Sequence, residues 1–179
     1  MTRAGNVYGQ ALYDLARAEG CEEAVLQEIR VLAESLCQEP EFLRLMAAAN
    51  ITKEERCQIL DRSFRGKVHP YVLNFMKILV EKGYFKDFSS CVEAYKSCYN
   101  HDHKILEVKA TAAVALTQAQ QQRLTEKLQS ITGKTVELTC VVDPRCLGGM
   151  RLDYDGRRVE DTLRQRLDTL GDLLKNTAI

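Results

Sequence analysis

Imidazole and thiol come together at only one place in this 179-residue chain. His101-Asp102-His103 sits one helical turn beyond Cys98, and those side chains at that spacing are what zinc takes as ligands. A structural zinc needs four ligands, no second Cys/His pair with zinc-like spacing is present, and a polar hinge accounts for the same residues. No metal site is therefore expected, and His69, just before Pro70, reads as a residue at the start of a helix. The seven cysteines, at 21, 37, 57, 91, 98, 140 and 146, are odd in number, scattered, and without a Cys-x-x-Cys pair. In a reducing compartment they act as small core residues. With three histidines in all, none near a predicted cysteine-bearing strand end, a Cys–His nucleophile is not expected either.

Gly148-Gly149 could be taken for a phosphate loop, but such a loop runs into a helix N-terminus. These glycines run into a strand, and no Walker or Gly-x-Ser-x-Gly pattern accompanies them. Arg157, Arg158, Arg164 and Arg166 beside Tyr154 make the densest basic patch, which on an α+β unit would suggest RNA. Asp153, Asp155, Glu160, Asp161 and Asp168 interleave with them and cancel most of that field. The expectation is a salt-bridged face, with an RNA-binding α+β protein carrying a helical extension as the alternative. A thiol-dependent enzyme is a third reading, and it requires a cysteine of low pKa. No catalytic residue and no cofactor are expected.

The elements that would have to position any site come in two kinds. Val7, Tyr8, Ala11, Leu12, Leu15 and Ala16 fall in adjacent i, i+4 rows, with Arg3, Gln10, Asp14 and Arg17 on the other side, so residues 4–18 read as an amphipathic helix ended by Gly20. A second helix carries Val25, Ile29, Leu32 and Leu36. Pro40 stops it and begins a third, with Phe42, Leu45, Met46 and Ala49 on its apolar face. Thr52 with Glu55 is a capping box opening a fourth. Pro70 starts a fifth that is apolar over most of its circumference and ends at Gly83, and a sixth carries Phe85, Phe88, Val92, Tyr95 and Tyr99.

The period then changes from helical to alternating. Leu106, Val108 and Ala110 alternate with Glu107, Lys109 and Thr111, a strand with one wet face. Thr117 and Gln120 form a second capping box, opening a helix with Leu124, Leu128 and Ile131 on one side. Val136, Leu138, Cys140 and Val142 make another strand. Met150, Leu152 and Tyr154 alternate with Arg151 and Asp153, Asp155-Gly156 is a favoured hairpin turn into a short return strand, and from Asp161, as N-cap, Leu163, Leu167, Leu170 and Leu174 recur at helical spacing. The chain thus reads as mainly α: a six-helix antiparallel bundle over 1–104, then a small α+β unit, β-α-β-β-α, over 105–179, joined near residues 101–105. Gly148-Gly149 marks a bulge or close backbone approach.

Composition narrows the function. Lys+Arg and Asp+Glu each number 25, so the formal charge is zero and no global field favours nucleic acid or an anionic membrane. No apolar run reaches the roughly 20 residues that span a bilayer, and the N-terminus does not read as a signal peptide, which predicts a cytoplasmic protein. The first and fifth helices carry more apolar surface than a bundle helix needs, and a groove between two such helices accepts a third from a partner.

Three stretches together resemble one family. Gly-Gly, alternating strand, Asp-Gly turn and Asp161-x-Leu163-Arg164-x-Arg166-Leu167-x-x-Leu170 are similar to the C-terminal signature of the δ subunit of F-type ATP synthases, whose mitochondrial counterpart is the oligomycin-sensitivity-conferring protein (OSCP). Tyr8-Gly-Gln-Ala11-Leu-Tyr-Asp14-Leu-Ala16 resembles its opening helix, with Gly9 where alanine is usual. Leu73-Asn74-Phe75-Met76-Lys77-Ile78-Leu79-Val80-Glu81-Lys82-Gly83 resembles its fifth. The resemblance implies a non-catalytic stator subunit that ties the catalytic head to the peripheral stalk of b subunits, so that proton-driven rotation is coupled to ATP synthesis. It implies that an N-terminal helix of an α subunit lies in a groove of Tyr8, Ala11, Leu12, Leu15, Phe75, Ile78 and Leu79. It also implies that the b-stalk C-terminus meets the Gly148–Leu170 segment, with Gly148, Gly149, Arg164, Leu167 and Leu170 in the contact region. The place implied is the cytoplasmic face of a bacterial membrane, reached only through the complex.

Overall fold

A computed structural model describes residues 2–48, 51–146, 149–154 and 156–162. It is mainly helical with a small four-stranded sheet, and it divides into two units, Met1–His101 and Asp102–Ile179.

In the first unit, local chemistry sets where helices begin and end. Thr2 caps α1 (Arg3–Ala18), its hydroxyl accepting from the Gly5 N–H at 3.1 Å. After α2 (Glu22–Gln38) and α3 (Pro40–Ala47), which has proline at its first position, the Thr52–Glu55 box opens α4 (Lys53–Phe64): the Glu55 N–H reaches Thr52 Oγ1 and the Thr52 N–H reaches Glu55 Oε2. His69 caps α5 (Pro70–Lys82) as its sequence position predicts, Nδ1 accepting from the Tyr71 N–H at 3.3 Å while the His69 backbone N–H donates to Glu28 Oε2 at 2.6 Å. Gly83 ends α5 at φ 77°, a left-handed conformation that side chains resist. A 3-10 turn, Phe85–Asp87, leads into α6 (Phe88–Asp102).

The core of this unit gathers α1, α2, α5 and α6 side chains with Met46 and Leu60, and Tyr95 is wholly enclosed, its hydroxyl donating to the Glu22 carbonyl at 2.8 Å. The first helix does not present the face its apolar rows predict. Its buried residues are Gly5, Gly9, Leu12, Tyr13 and Ala16, while Val7, Ala11 and Leu15 are exposed. The cause is a close approach to α6. A Cβ placed on Gly9 would stand 2.3 Å from the Cys91 carbonyl oxygen and 2.8 Å from Ala94 Cβ, and one on Gly5 would stand 2.6 Å from Ser90 Cβ. Glycines four apart let the backbones meet, so α1 turns its glycine side inward and part of its branched side outward.

The second unit is a sheet in the order β2-β1-β3-β4. Strand β1 (Ile105–Ala112) pairs in parallel with β2 (Thr135–Val142) through a crossover that contains α7 (Gln118–Thr132), whose N-terminus is the predicted Thr117–Gln120 box. Strand β3 (Gly149–Tyr154) runs antiparallel to β1 and forms a hairpin with β4 (Arg157–Thr162). Leu106, Val108 and Val136 are its buried centre, packed by Leu128, Leu138, Leu152 and Tyr154. Ile131, expected on the apolar side of α7, is 71% exposed, and the helix as a whole buries no residue fully.

The β-α-β-β-α pattern is one strand short. Asp161, expected as a helix N-cap, pairs with Met150 in β4, and Thr162 pairs with Gly149. A two-residue turn makes the return segment pair along the full length of β3, and that register carries extended backbone through Thr162. The leucine-spaced helix expected from Asp161 onward, with Arg164, Leu167 and Leu170, lies outside the described residues, as do Gly148 and Asp155. Gly149 opens β3 at φ 80°.

Two outcomes test this packing. Gly9→Ala gains helix propensity of roughly 1 kcal/mol, yet it must push α1 off α6. Net destabilisation of about 1–2 kcal/mol by urea unfolding is expected, as for other overpacked sites. The second concerns acid. Asp61 takes Lys77 Nζ at 2.7 Å, and Asp153 takes Arg158 Nε at 2.6 Å and Arg151 Nε at 3.3 Å. Hydrogen bonds from Lys77 and Arg158 respectively hold these carboxyls below their ordinary value of 3.8. Below that value the unfolded chain binds more protons than the folded one, so the stability these pairs supply is present above it and is lost as pH falls toward the lowered folded values. Acid unfolding followed by circular dichroism is expected to show a shallower loss for Asp153→Asn than for the parent in that window.

Candidate protein-docking surface

Helices α1 and α5 run antiparallel along a seam pinned at both ends. At one end the Tyr8 and Tyr84 rings pack with centroids 5.8 Å apart. At the other, eleven residues along α1, the Glu19 carboxylate hydrogen-bonds Tyr71 near the start of α5; desolvation first, and then that carboxylate, raise the Tyr71 phenol above its usual pKa. The distance between the pins is about 16 Å, three turns of helix.

Between the pins, residues three and four apart share a face. Along α1 these are Tyr8, Ala11, Leu15 and Ala18, flanked by Val7; along α5 they are Tyr71, Asn74, Ile78 and Lys82. Val7 is 61% exposed, Leu15 43%, Ile78 42% and Tyr84 42%. Ile78 falls opposite the interval between Ala11 and Leu15, so apolar side chains from both helices flank a low point at Ala11. Two acidic residues border the strip, Asp14 three past Ala11 and Glu81 three past Ile78.

The seven groove residues expected from the sequence divide into two sets. Tyr8, Ala11, Leu15 and Ile78 reach the surface, whereas Leu12, Phe75 and Leu79 are 5%, 6% and 0% exposed and belong to the core beneath. Val7 and Tyr84 were not among the seven. Val7 lies in the same apolar rows, and its exposure follows from the rotation of α1 that Gly5 and Gly9 set; Tyr84 lies past the helix end, where helical periodicity gives no signal. Of the residues expected near the b stalk, Gly149 is exposed at the start of β3, and Gly148, Arg164, Leu167 and Leu170 lie outside the described residues.

The competing chemistries gain no support. The shifted thiols, Cys21, Cys57 and Cys91, are all pushed upward by burial, Cys91 to about 12, which keeps them protonated and poorly nucleophilic. Of the basic patch, Arg158 is engaged by Asp153, which also takes the neighbouring Arg151; Arg164 and Arg166 lie outside the described residues.

Residues 5–174 match the family model for the ATP synthase delta (OSCP) subunit. An ATP synthase subunit delta of Alkaliphilus metalliredigens is 29% identical over 167 residues, covering 93% of each chain. That of Alkaliphilus oremlandii is 28% identical over 175 residues, covering 96% of each. The fold is that of a chain in the cryo-EM structure of the Toxoplasma gondii mitochondrial ATP synthase hexamer, with a TM-score of 0.75 at 19% identity, covering 97% of this chain and 98% of that one. A match running from the first helix to beyond the last described strand bears out the resemblance carried by the three motifs: the chain belongs to the ATP synthase delta (OSCP) subunit family.

Proposed function

We propose that this chain is the stator subunit that joins the catalytic head of an F-type ATP synthase to its peripheral stalk, on the cytoplasmic face of a bacterial membrane. Family members are structural, non-catalytic subunits. Among the described residues no helix is long and apolar enough to cross a membrane, so attachment to the membrane runs through the complex. The six helices of residues 1–104 act as one bundle and take an N-terminal helix of an α subunit on the α1/α5 seam. Residues 105–179 hold the C-terminal end of the b stalk through the segment from Gly148 to Leu170.

The observation that carries the first contact is the exposure of Val7, Leu15 and Ile78 on two adjacent helices, above the buried Leu12, Phe75 and Leu79. A helix laid there removes this surface from water at about 25 cal/mol per Å². Two separate attachments, one per unit, then multiply affinity through effective concentration, which suits a tether that must hold under torque.

Substitutions on the two sides of α1 separate docking from folding. Leu15→Asp and Ile78→Asp are expected to keep parent-like circular dichroism and to weaken binding of an α-subunit N-terminal peptide at least 100-fold by calorimetry, because a charge would be buried against an apolar face. Leu12→Asp is expected to unfold the bundle instead. Parent-like affinity in both surface variants would remove the seam as the head contact.

A further inference from the structure

We propose that the sheet unit holds one buried water molecule between β1 and β3, hydrogen-bonded to Thr111 Oγ1 and Arg151 Nε. Two enclosed polar atoms, one on each strand, require it.

Thr111 is 1% exposed, in a strand whose other buried side chains are aliphatic. Its register partner on β3 is Arg151 and its register partner on β2 is Val141. Residues directly opposite in a sheet put their side chains on the same face, about 5 Å apart at Cβ. Thr111 therefore has an apolar neighbour on one side and a guanidinium on the other. Thr111 Oγ1 and Arg151 Nε are both shut off from bulk solvent, and they hydrogen-bond neither each other nor any other described residue. Asp153 does not supply the acceptor. Its Oδ2 is 3.3 Å from Arg151 Nε, close enough for an ion pair, but the Nε–H is not aimed at it, and its Oδ1 takes Arg158.

Buried donors of this kind are satisfied in folded proteins by protein groups or by ordered water. The 3-10 turn Pro144–Cys146 packs against both strands, with Cys146 itself buried, so the partner of these two atoms must be enclosed with them. Charge and size decide what it is. An anion would be repelled by Asp153, and a cation by Arg151. A neutral molecule of one heavy atom that both accepts and donates suits the site: the Nε–H donates to its oxygen, one of its hydrogens goes to Thr111 Oγ1, and the other is left for Asp153 Oδ2. Three hydrogen bonds are the usual complement of an enclosed water. The molecule ties β3 to β1 through side chains, beside the backbone ladder, two residues from where Gly149 starts β3 at φ 80°.

Two measurements on the full chain test this. A crystal structure is expected to show an oxygen within roughly 3.2 Å of both Thr111 Oγ1 and Arg151 Nε. A direct bond between the two side chains, or an empty site, overturns the proposal. Amide hydrogen exchange along β1 and β3 reads the same site in solution, separately from the helical unit. Thr111→Val keeps the shape of the side chain and removes its hydroxyl. Were that hydroxyl buried without a partner, its loss would slow exchange, because an unpaired polar group destabilises the fold. With the water bound, exchange in Thr111→Val is expected to be about 10-fold faster, the effect of losing roughly one net hydrogen bond. Arg151→Met, which keeps the stem and removes Nε, is expected to speed exchange as well, and the double variant to fall well short of the product of the two effects, as for groups that share a partner. Slower or unchanged exchange in Thr111→Val, or effects that multiply in the double variant, overturn the shared water.

Discussion

The approach of α1 to α6 at Gly5 and Gly9 governs what the helical unit can do. Helix α1 has more apolar surface than one neighbour can cover, and which part is buried depends on the rotation of the helix about its own axis. Side chains at positions 5 and 9 would hold it away from α6. Without them the backbones meet at Ser90, Cys91 and Ala94, Leu12, Tyr13 and Ala16 enter the core, and Val7, Ala11 and Leu15 are left at the surface. The exposed strip follows from a packing decision on the other side of the same helix.

This explains which parts of the protein could be read from its sequence. Features fixed by neighbours in the chain were legible: both capping boxes, the His69 cap, the proline starts of α3 and α5, the glycine end of α5, and the helix α7 between two alternating strands. Features fixed by a remote contact were not. The apolar rows of α1 identified the helix but not its rotation, because a glycine reads as a gap in an apolar pattern although here it is the point of closest contact. Asp161 fits a helix cap by local preference, and register with β3 overrides that preference. The seam was half legible: Tyr8, Ala11, Leu15 and Ile78 followed from the family's helices, while burial moved Leu12, Phe75 and Leu79 beneath it.

Charge plays different parts in the two units. In the sheet, Asp153 faces Arg158 across the hairpin and also engages Arg151, so these two cations are satisfied within the hairpin. In the helical unit the Asp61–Lys77 pair joins α4 to α5. Surface pairs of this kind contribute little to stability. Their consequence is spatial, since they settle which surfaces have charge left over for a partner.

The aromatic residues of the seam have an optical consequence. The chain contains seven tyrosines and no tryptophan, so its near-ultraviolet emission is phenolic, and Tyr8, Tyr71 and Tyr84 all stand at the ends of the strip. An indole arriving on a docked helix would sit within energy-transfer range of all three and quench their light, so the native, unlabelled chain reports occupancy of its own surface.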